Sequence, residues 1–365
     1  MPDHRHRVLG ALLAAVVLVL AAPAAASAKV PSGWVGVVVS DNSLLNSASA
    51  WPHETSVMKQ SRVQSVRIPV YWTNMQQSEN GPVSFTALDA QVLGAAKQHL
   101  RIMPSVLRAP TWARIKASDV GSPPRDPAEF AAFMKQLVKR YGSKGTFWSS
   151  HRSVPKVPIT AWQIWNEVNL SGYWSTQPFA KSYVSLLKAT RKSVKSADSR
   201  AKIVLAGLPN DSWTQLSTIY AAGGRRYFDA AAVHPYTASV SNVLKIVALD
   251  RKAMAKGHDS TKPIYLTEMG FSSAGKRISA AQKAHVTWNT TESGQAKQLG
   301  KLYAALASKR KSLRIAGAFW YSWYTSEVNT HHSWDEYTGL RRYGKGKIVS
   351  KPALAALKKV TKAIE

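Results

Sequence analysis

Two glutamates, Glu167 and Glu268, each stand at the end of an apolar run that is typical of a β-strand. Glu167 follows residues 162–166, and Glu268 follows residues 264–267. A buried strand gains nothing from a carboxylate at its end unless charge or protons are needed there. If both strand ends face one pocket, the two carboxyl groups can serve as proton donor and nucleophile, the pair that retaining hydrolysis of a glycosidic bond requires.

The elements around these glutamates alternate between strands and helices along the chain. Strands are predicted at residues 33–39, 63–70, 100–106, 159–165, 201–207, 228–233, 264–267 and 315–320. Helices are predicted at residues 51–62, 85–99, 126–141, 179–197, 213–222, 240–256, 279–309 and 351–364. The strands are apolar throughout, as expected of parallel strands that are covered on both faces. This alternation predicts an α/β fold, a single (β/α)8 TIM barrel over residues 29–365.

A doubly wound open sheet is the alternative fold. Such a sheet normally carries a glycine-rich phosphate-binding turn after its first strand. Residues 40–43 follow the first predicted strand and have the sequence SDNS, which is not such a turn. The barrel is therefore the preferred interpretation.

In a (β/α)8 barrel the active site lies at the carboxyl ends of the strands. Arg67 and Tyr236 stand at such ends and are suited to hold a nucleophilic Glu268 by hydrogen bonds. Asn166 could bond a sugar hydroxyl, and Trp320, on the last strand, could form the apolar floor under the sugar. The same strand ends also carry His234.

Several short sequences together resemble clan A glycoside hydrolases. They are VRIP at 66–69, NE at 166–167, HPY at 234–236, the single Glu268, and FW at 319–320. The chain is most similar to the cellulase-like family 5 group and the β-xylosidase-like family 39 group, from the second strand to the last helix. Val168 departs from the pattern, because these families often place proline there, and we expect it to reshape the loop.

The resemblance implies a glycosidase, and we expect it to need no cofactor. It implies that Glu167 is the acid/base and Glu268 the nucleophile. It assigns substrate binding and support of the nucleophile to Arg67, Asn166, His234, Tyr236 and Trp320. For His234, a buried histidine that orients its neighbours without touching substrate is an equally good interpretation.

Composition bounds the class of protein. The chain has 365 residues and 45% hydrophobic residues, enough for a large core. The absence of cysteine excludes disulfides, thiolate metal sites and a cysteine nucleophile. Thirteen tryptophans mildly favour a carbohydrate ligand, because the flat indole stacks on sugar rings. We expect a monomer that takes an oligo- or polysaccharide as its substrate.

The formal net charge is +29, from 49 lysines and arginines against 20 aspartates and glutamates. Such a charge can attract an anionic polysaccharide, an anionic lipid or nucleic acid. The cations are scattered among the predicted helices rather than clustered beside aromatic residues, which argues against specific nucleic-acid binding. A soluble basic surface without a specific partner is the plainer interpretation, and an acidic glycan substrate is compatible with either.

Residues 1–28 have the pattern of a secretory signal peptide. A basic start at 4–7 precedes an apolar run at 8–22, and ASA at 26–28 fits the small residues before a cleavage site. The alternative is an uncleaved anchor, but the apolar run is short for a membrane span. No later run is long and apolar enough to be a transmembrane segment, so we expect secretion.

Two alternatives to catalysis remain at this point. One is a carbohydrate-binding barrel without activity, and the other is a basic protein that binds anionic polymers of the cell envelope. A metal site at His331, His332, Asp335 and Glu336 is disfavoured, because their spacing fits no common zinc motif.

Overall fold

The structure is a computed structural model that describes residues 29–209, 211–327, 333–344 and 346–365. The predicted signal peptide and both His331 and His332 lie outside these residues, so the predictions about them stay predictions. Within the described ranges, no helix combines the length and apolar character that crossing a membrane demands.

Nine strands of the described residues form a parallel barrel sheet. In chain order they are β1 (Val35–Val38), β2 (Ser65–Tyr71), β3 (Arg101–Leu107), β4 (Ala161–Ile164), β5 (Lys202–Val204), β6 (Leu208–Pro209), β7 (Ala231–His234), β8 (Ile264–Met269) and β9 (Ile315–Trp320). Their order in the sheet is β5-β4-β3-β2-β1-β9-β8-β7-β6.

The barrel closes where β5 and β6 follow each other in the chain. The segments β5 and β6 are separated by only three residues, with β5 inside the strand predicted at 201–207 and β6 directly after it. The first segment pairs with β4 and the second with β7, and Val204 bridges to Ala230 between them. The two ends of the strand order therefore meet in one stretch of chain, and the predicted (β/α)8 barrel is confirmed.

Helices follow the strands and cover the outside of the barrel. In chain order they are α1 (Asn42–Leu45), α2 (Ala50–Gln60), α3 (Trp72–Met75), α4 (Thr86–Lys97), α5 (Pro127–Tyr141), α6 (Thr146–Ser150), α7 (Ala180–Ala197), α8 (Ser212–Ala221), α9 (Val240–Lys256), α10 (Ala280–Lys283), α11 (Glu292–Lys309) and α12 (Pro352–Ile364). The start of α5 shows why the sequence folds this way. Asp126 caps the N–H of Ala128, and Pro127 takes the first helical position, where it loses no hydrogen bond.

Two parts of the chain differ from the prediction. The single helix predicted at 279–309 is two helices, α10 and α11, because residues 284–291 leave the helix and Thr291 caps a new start at the N–H of Gly294. The loop predicted after β9 contains a small sheet of β10 (Tyr324–Thr325), β11 (Arg341–Gly344) and β12 (Lys347–Ser350). A buried ion pair of Arg341 Nε with Glu54 Oε2, at 2.8 Å, joins this sheet to α2.

Most of the tryptophans belong to the core. Eight of them are among the largest fully buried side chains of the described residues. The tryptophan content therefore reflects packing more than ligand binding.

Candidate active site

The backbone positions the two glutamates differently at the mouth of the barrel. Glu268 lies within β8, whereas β4 ends before Glu167 and the chain bends there. Trp165 and Glu167 both have left-handed backbone, with φ of 70° and 43°. Such residues cost about 1–3 kcal/mol each and cluster at functional sites. Hydrogen bonds from Trp165 N–H to the Val106 carbonyl (2.9 Å) and from Glu167 N–H to the Gly207 carbonyl (3.0 Å) hold the bend in place.

The side chains of Glu167 and Glu268 meet at this mouth. One oxygen of each, together with one ring nitrogen of His234, all lie within 4.8 Å of one another. The carboxyl groups of retaining glycosidases lie about 5–5.5 Å apart, whereas inverting enzymes keep about 6.5–9.5 Å to admit a water. The two oxygens here, at 4.8 Å or less, lie closer than the range that inverting enzymes keep.

Both oxygens of Glu268 accept a hydrogen bond. Arg67 Nη1 donates to Oε1 at 2.8 Å, and the hydroxyl of Tyr236 donates to Oε2 at 3.0 Å. Burial, and then the charge of Glu268, raise the pKa of Tyr236 well above its ordinary value, so the phenol keeps the proton that it donates. A fixed cation on one oxygen and a phenol on the other hold the carboxylate in one orientation.

Asn166 is tied to the same arginine. Its Oδ1 accepts from Arg67 Nη2 at 2.7 Å. Because the amide oxygen is used in this way, the amide can offer its NH2 group to a sugar hydroxyl. Asn166 and Arg67 are both nearly buried, at 6% and 5% exposure, so they stand at the bottom of the site rather than at its rim.

A cavity of about 110 Å³ opens above these groups. Its polar lining includes Arg67, Asn166 and Glu268, and its aromatic lining includes Tyr71, Tyr173 and Tyr321. Burial and the charges of Glu167 and Glu268 raise the pKa of Tyr173 to about 12, so this phenol stays a neutral hydrogen-bonding group. Apolar ring faces beside a few convergent polar groups suit the alternating faces of a sugar.

The structure corrects the role predicted for Trp320. Its side chain is fully buried, and its Nε1 donates to the Thr338 carbonyl at 3.0 Å. Successive side chains of a strand point to opposite faces, so Phe319 packs in the barrel interior and Trp320 points outward. The next residue, Tyr321, returns to the inner face and lines the cavity that was assigned to Trp320.

His234 is also buried and does not face the cavity. Its Nδ1 lies 2.7 Å from Glu167 Oε1, and its Nε2 lies 3.0 Å from Thr267 Oγ1. The structure therefore supports the second interpretation of this residue, a buried histidine that orients its neighbours, here Glu167. Arg67, Asn166, Tyr236 and the two glutamates are brought together as the sequence predicted.

Aromatic residues that the sequence analysis did not select surround Tyr236. Its ring centroid lies 5.6 Å from that of Trp288, 4.9 Å from Trp334 and 6.4 Å from Tyr321. Trp288 belongs to the loop between α10 and α11, which was predicted as continuous helix. These rings form an apolar wall beside Glu268.

The trio of Glu167, His234 and Glu268 has the ligand types of a metal site. Two features oppose a cation there. The guanidinium of Arg67 already pairs with Glu268 at 2.8 Å, and His234 Nδ1 already bonds Glu167 at 2.7 Å. The arrangement suits proton transfer better than metal binding, and we assign no metal to it.

The chain has the barrel fold of known glycoside hydrolases. A family 39 glycoside hydrolase from Bacteroides cellulosilyticus WH2 aligns with a TM-score of 0.67 and 18% identity, over 90% of this chain and 63% of that one. A family 39 enzyme from Xanthomonas axonopodis pv. citri aligns at 0.65 and 15% identity, over 93% and 68%. The family 53 catalytic domain of Ignisphaera aggregans aligns at 0.61 and 17% identity, over 93% and 98%.

The chain thus spans less than two thirds of the Bacteroides protein but nearly all of the family 53 domain. No protein-family model and no curated protein matches it. At these identities the likeness establishes the fold, and the resemblance stated from the sequence is confirmed at that level.

Proposed function

We propose that this protein hydrolyses O-glycosidic bonds with retention of anomeric configuration. The observation that carries the proposal is the pair of glutamate oxygens within 4.8 Å at the mouth of the barrel. Arg67 and Tyr236 hold one glutamate, and His234 holds the other, so the two carboxyl groups have different surroundings and can take different roles. The fold shared with known glycoside hydrolases supports the same class.

In the first step a carboxylate oxygen of Glu268 attacks the anomeric carbon. The bond from that carbon to the leaving oxygen breaks, and Glu167 gives its proton to the departing oxygen. The product is a glycosyl ester on Glu268. Asn166 is placed to bond a hydroxyl beside the reacting carbon, a contact that strengthens as positive charge develops on the sugar.

In the second step Glu167 acts as a base. It takes a proton from water, the water oxygen attacks the anomeric carbon, and the ester bond to Glu268 breaks. The carboxylate of Glu268 returns to its bonds with Arg67 and Tyr236, and Glu167 is protonated again. Two displacements restore the starting configuration, and every proton is carried by residues of this chain.

We further propose an oligo- or polysaccharide substrate and export through the signal at residues 1–28. The aromatic wall of Tyr236, Trp288 and Trp334 favours stacking on sugar rings. The net charge of +29 favours encounter with an acidic glycan, an effect that salt weakens. A barrel that binds carbohydrate without cleaving it would have no need for two carboxylates at this separation.

The stereochemistry of the product tests the proposal directly. A panel of chromogenic glycosides and polysaccharides first identifies a substrate, and proton NMR then follows the anomeric signal of the first product. We expect the anomer of the substrate to appear first, because the carboxyl groups stand too close for the inverting route. Initial release of the opposite anomer, or no cleavage of any substrate in the panel, would contradict the proposal.

Gly207 provides a second test. A Cβ at this position would lie 1.9 Å from His234 Nε2, so Gly207→Ala must displace the ring that holds Glu167. Displacements of about 1 Å near a reacting group cost on the order of 100-fold in rate, and we expect such a loss in kcat/KM. Gly172→Ala is the matched control, because a Cβ there meets nothing within 4 Å. Equal activity of the two variants, each with a wild-type melting temperature, would show that this contact does not position the acid.

A further inference from the structure

Beneath the two glutamates, four hydrogen bonds connect five side chains in one line. Arg67 Nε donates to Gln163 Oε1 at 2.6 Å, and Gln163 Nε2 donates to Thr267 Oγ1 at 3.2 Å. Thr267 Oγ1 lies 3.0 Å from His234 Nε2, and His234 Nδ1 lies 2.7 Å from Glu167 Oε1. Gln163 and Thr267 are fully buried. The line therefore joins the arginine of the nucleophile to the proton donor without reaching the surface.

The donors and acceptors along this line are fixed at Arg67, its first residue. A guanidinium can only donate hydrogen bonds, so the amide oxygen of Gln163 must face Arg67. A backbone carbonyl can only accept, and Gln163 Nε2 lies 3.2 Å from the carbonyl of Leu205. These two partners, one a pure donor and one a pure acceptor, leave the amide of Gln163 a single orientation.

The same reasoning carries the direction to His234. The amide of Gln163 donates to the hydroxyl oxygen of Thr267, so the hydroxyl must donate its own proton to a different acceptor. Its remaining partner in the line is His234 Nε2. If this nitrogen accepts, the proton of the neutral ring sits on Nδ1 and is donated to Glu167 Oε1.

We propose that Gln163 and Thr267 are positioning residues that hold His234 in the Nδ1–H tautomer. Glu167 Oε1 then accepts a hydrogen bond from the ring, so the catalytic proton is carried on Oε2, the other oxygen. In the opposite tautomer Nδ1 would accept, and Glu167 would turn its proton toward the buried ring instead of the substrate. The part about Oε2 rests on the proposed function of Glu167, whereas the tautomer does not.

No proton travels along this line during the reaction. In the first step the Oε2 proton moves to the leaving oxygen, and Glu167 becomes a carboxylate. His234 keeps its Nδ1 proton, and its bond to Oε1 becomes charge-assisted and therefore stronger. The hydrogen bond from His234 therefore stabilises the carboxylate form of Glu167, which appears as the glycosidic bond breaks.

The first experiment reads the tautomer without any substrate. Nitrogen-15 NMR of the histidine-labelled full chain distinguishes a protonated from an unprotonated ring nitrogen, and a His234→Gln variant assigns the signals. We expect Nδ1–H with a bare Nε2 in the wild type and in Thr267→Ser, which keeps the hydroxyl. We expect Thr267→Val to lose this fixed state. A proton on Nε2 of His234 in the wild type, or an unchanged tautomer in Thr267→Val, would overturn the proposal.

The second experiment uses leaving groups of different basicity. General acid catalysis contributes roughly 10²–10⁴-fold, so partial loss of orientation in Thr267→Val should lower kcat/KM about 10–100-fold for a glycoside of a poor leaving group. A dinitrophenyl glycoside leaves without a proton and should lose less than about threefold, since the remaining site is intact. Thr267→Ser should restore both rates. An equal loss on both substrates, or none on either, would refute positioning of the acid, whereas an inactive wild type would refute the proposed function and leave the NMR result standing.

Discussion

Replacing Glu268 with alanine is expected to abolish hydrolysis. Nucleophile removal costs on the order of 10⁶-fold in kcat. The other carboxylate of the site, Glu167, is held by His234 rather than by Arg67 and Tyr236, so it is not placed to take over. The measurement is kcat on the substrate found in the panel. Glu129→Ala, which removes a carboxylate paired with Arg125 at the start of α5, is the matched control and should keep full activity.

Rescue by azide makes this prediction specific. The variant loses the carboxylate but keeps the guanidinium of Arg67 and the phenol of Tyr236, which can receive a small anion in its place. Azide should attack the anomeric carbon from the side of Glu268, with Glu167 still donating its proton. One displacement then gives a glycosyl azide of inverted configuration, which NMR identifies. Rescue also shows that the variant is folded. A wild-type rate without azide, or an azide product of retained configuration, would contradict the nucleophile assignment.

The sequence was most informative where one physical pattern acts alone. Apolar runs alternating with helices predicted the barrel, because parallel strands covered on both faces are mostly apolar. Glu167 and Glu268 stood out for the same reason, since each interrupts such a run. The pairing of Arg67 and Tyr236 with Glu268 was predicted from a common place at strand ends, although the structure places Arg67 inside β2, from where its long side chain reaches Glu268.

The sequence was less informative about which of two neighbouring side chains faces the cavity. Trp320 was selected as the apolar floor under the sugar and Tyr321 was not considered, yet the alternation along β9 turns Trp320 outward and Tyr321 into the cavity. Counting the alternation from Phe319 would have selected Tyr321. Gln163 and Thr267 lie inside strands and carry no signal of their own, because their roles depend on partners far away in the chain.

Longer-range packing accounts for the other differences. Residues 284–291 have no strong helix breaker, but they leave the helix and place Trp288 against Tyr236. The small sheet after β9 is joined by Arg341 to Glu54, a residue on α2 that is far away in the sequence. Tertiary contacts of this kind override local propensity and cannot be read from a window of sequence.

Replacing Glu167 with alanine should separate the two steps of the reaction. The loss in kcat/KM should be roughly 10²–10⁴-fold for a glycoside with a poor leaving group, because departure needs the proton. A dinitrophenyl glycoside should still form the glycosyl-enzyme, since Glu268 keeps its bonds to Arg67 and Tyr236. The second step would then be slow, and mass spectrometry should detect the chain carrying one sugar.

Azide distinguishes this variant from Glu268→Ala. In Glu167→Ala azide enters beside the covalent intermediate and attacks from the side opposite to Glu268, so two displacements give a glycosyl azide of retained configuration. The two variants should therefore yield azides of opposite configuration from the same substrate. The reverse outcome would exchange the roles of the two glutamates. If kcat/KM fell equally for both glycosides and no intermediate accumulated, Glu167 would not be the proton donor. The hydrogen bond from His234 to Glu167 would then have no role in catalysis.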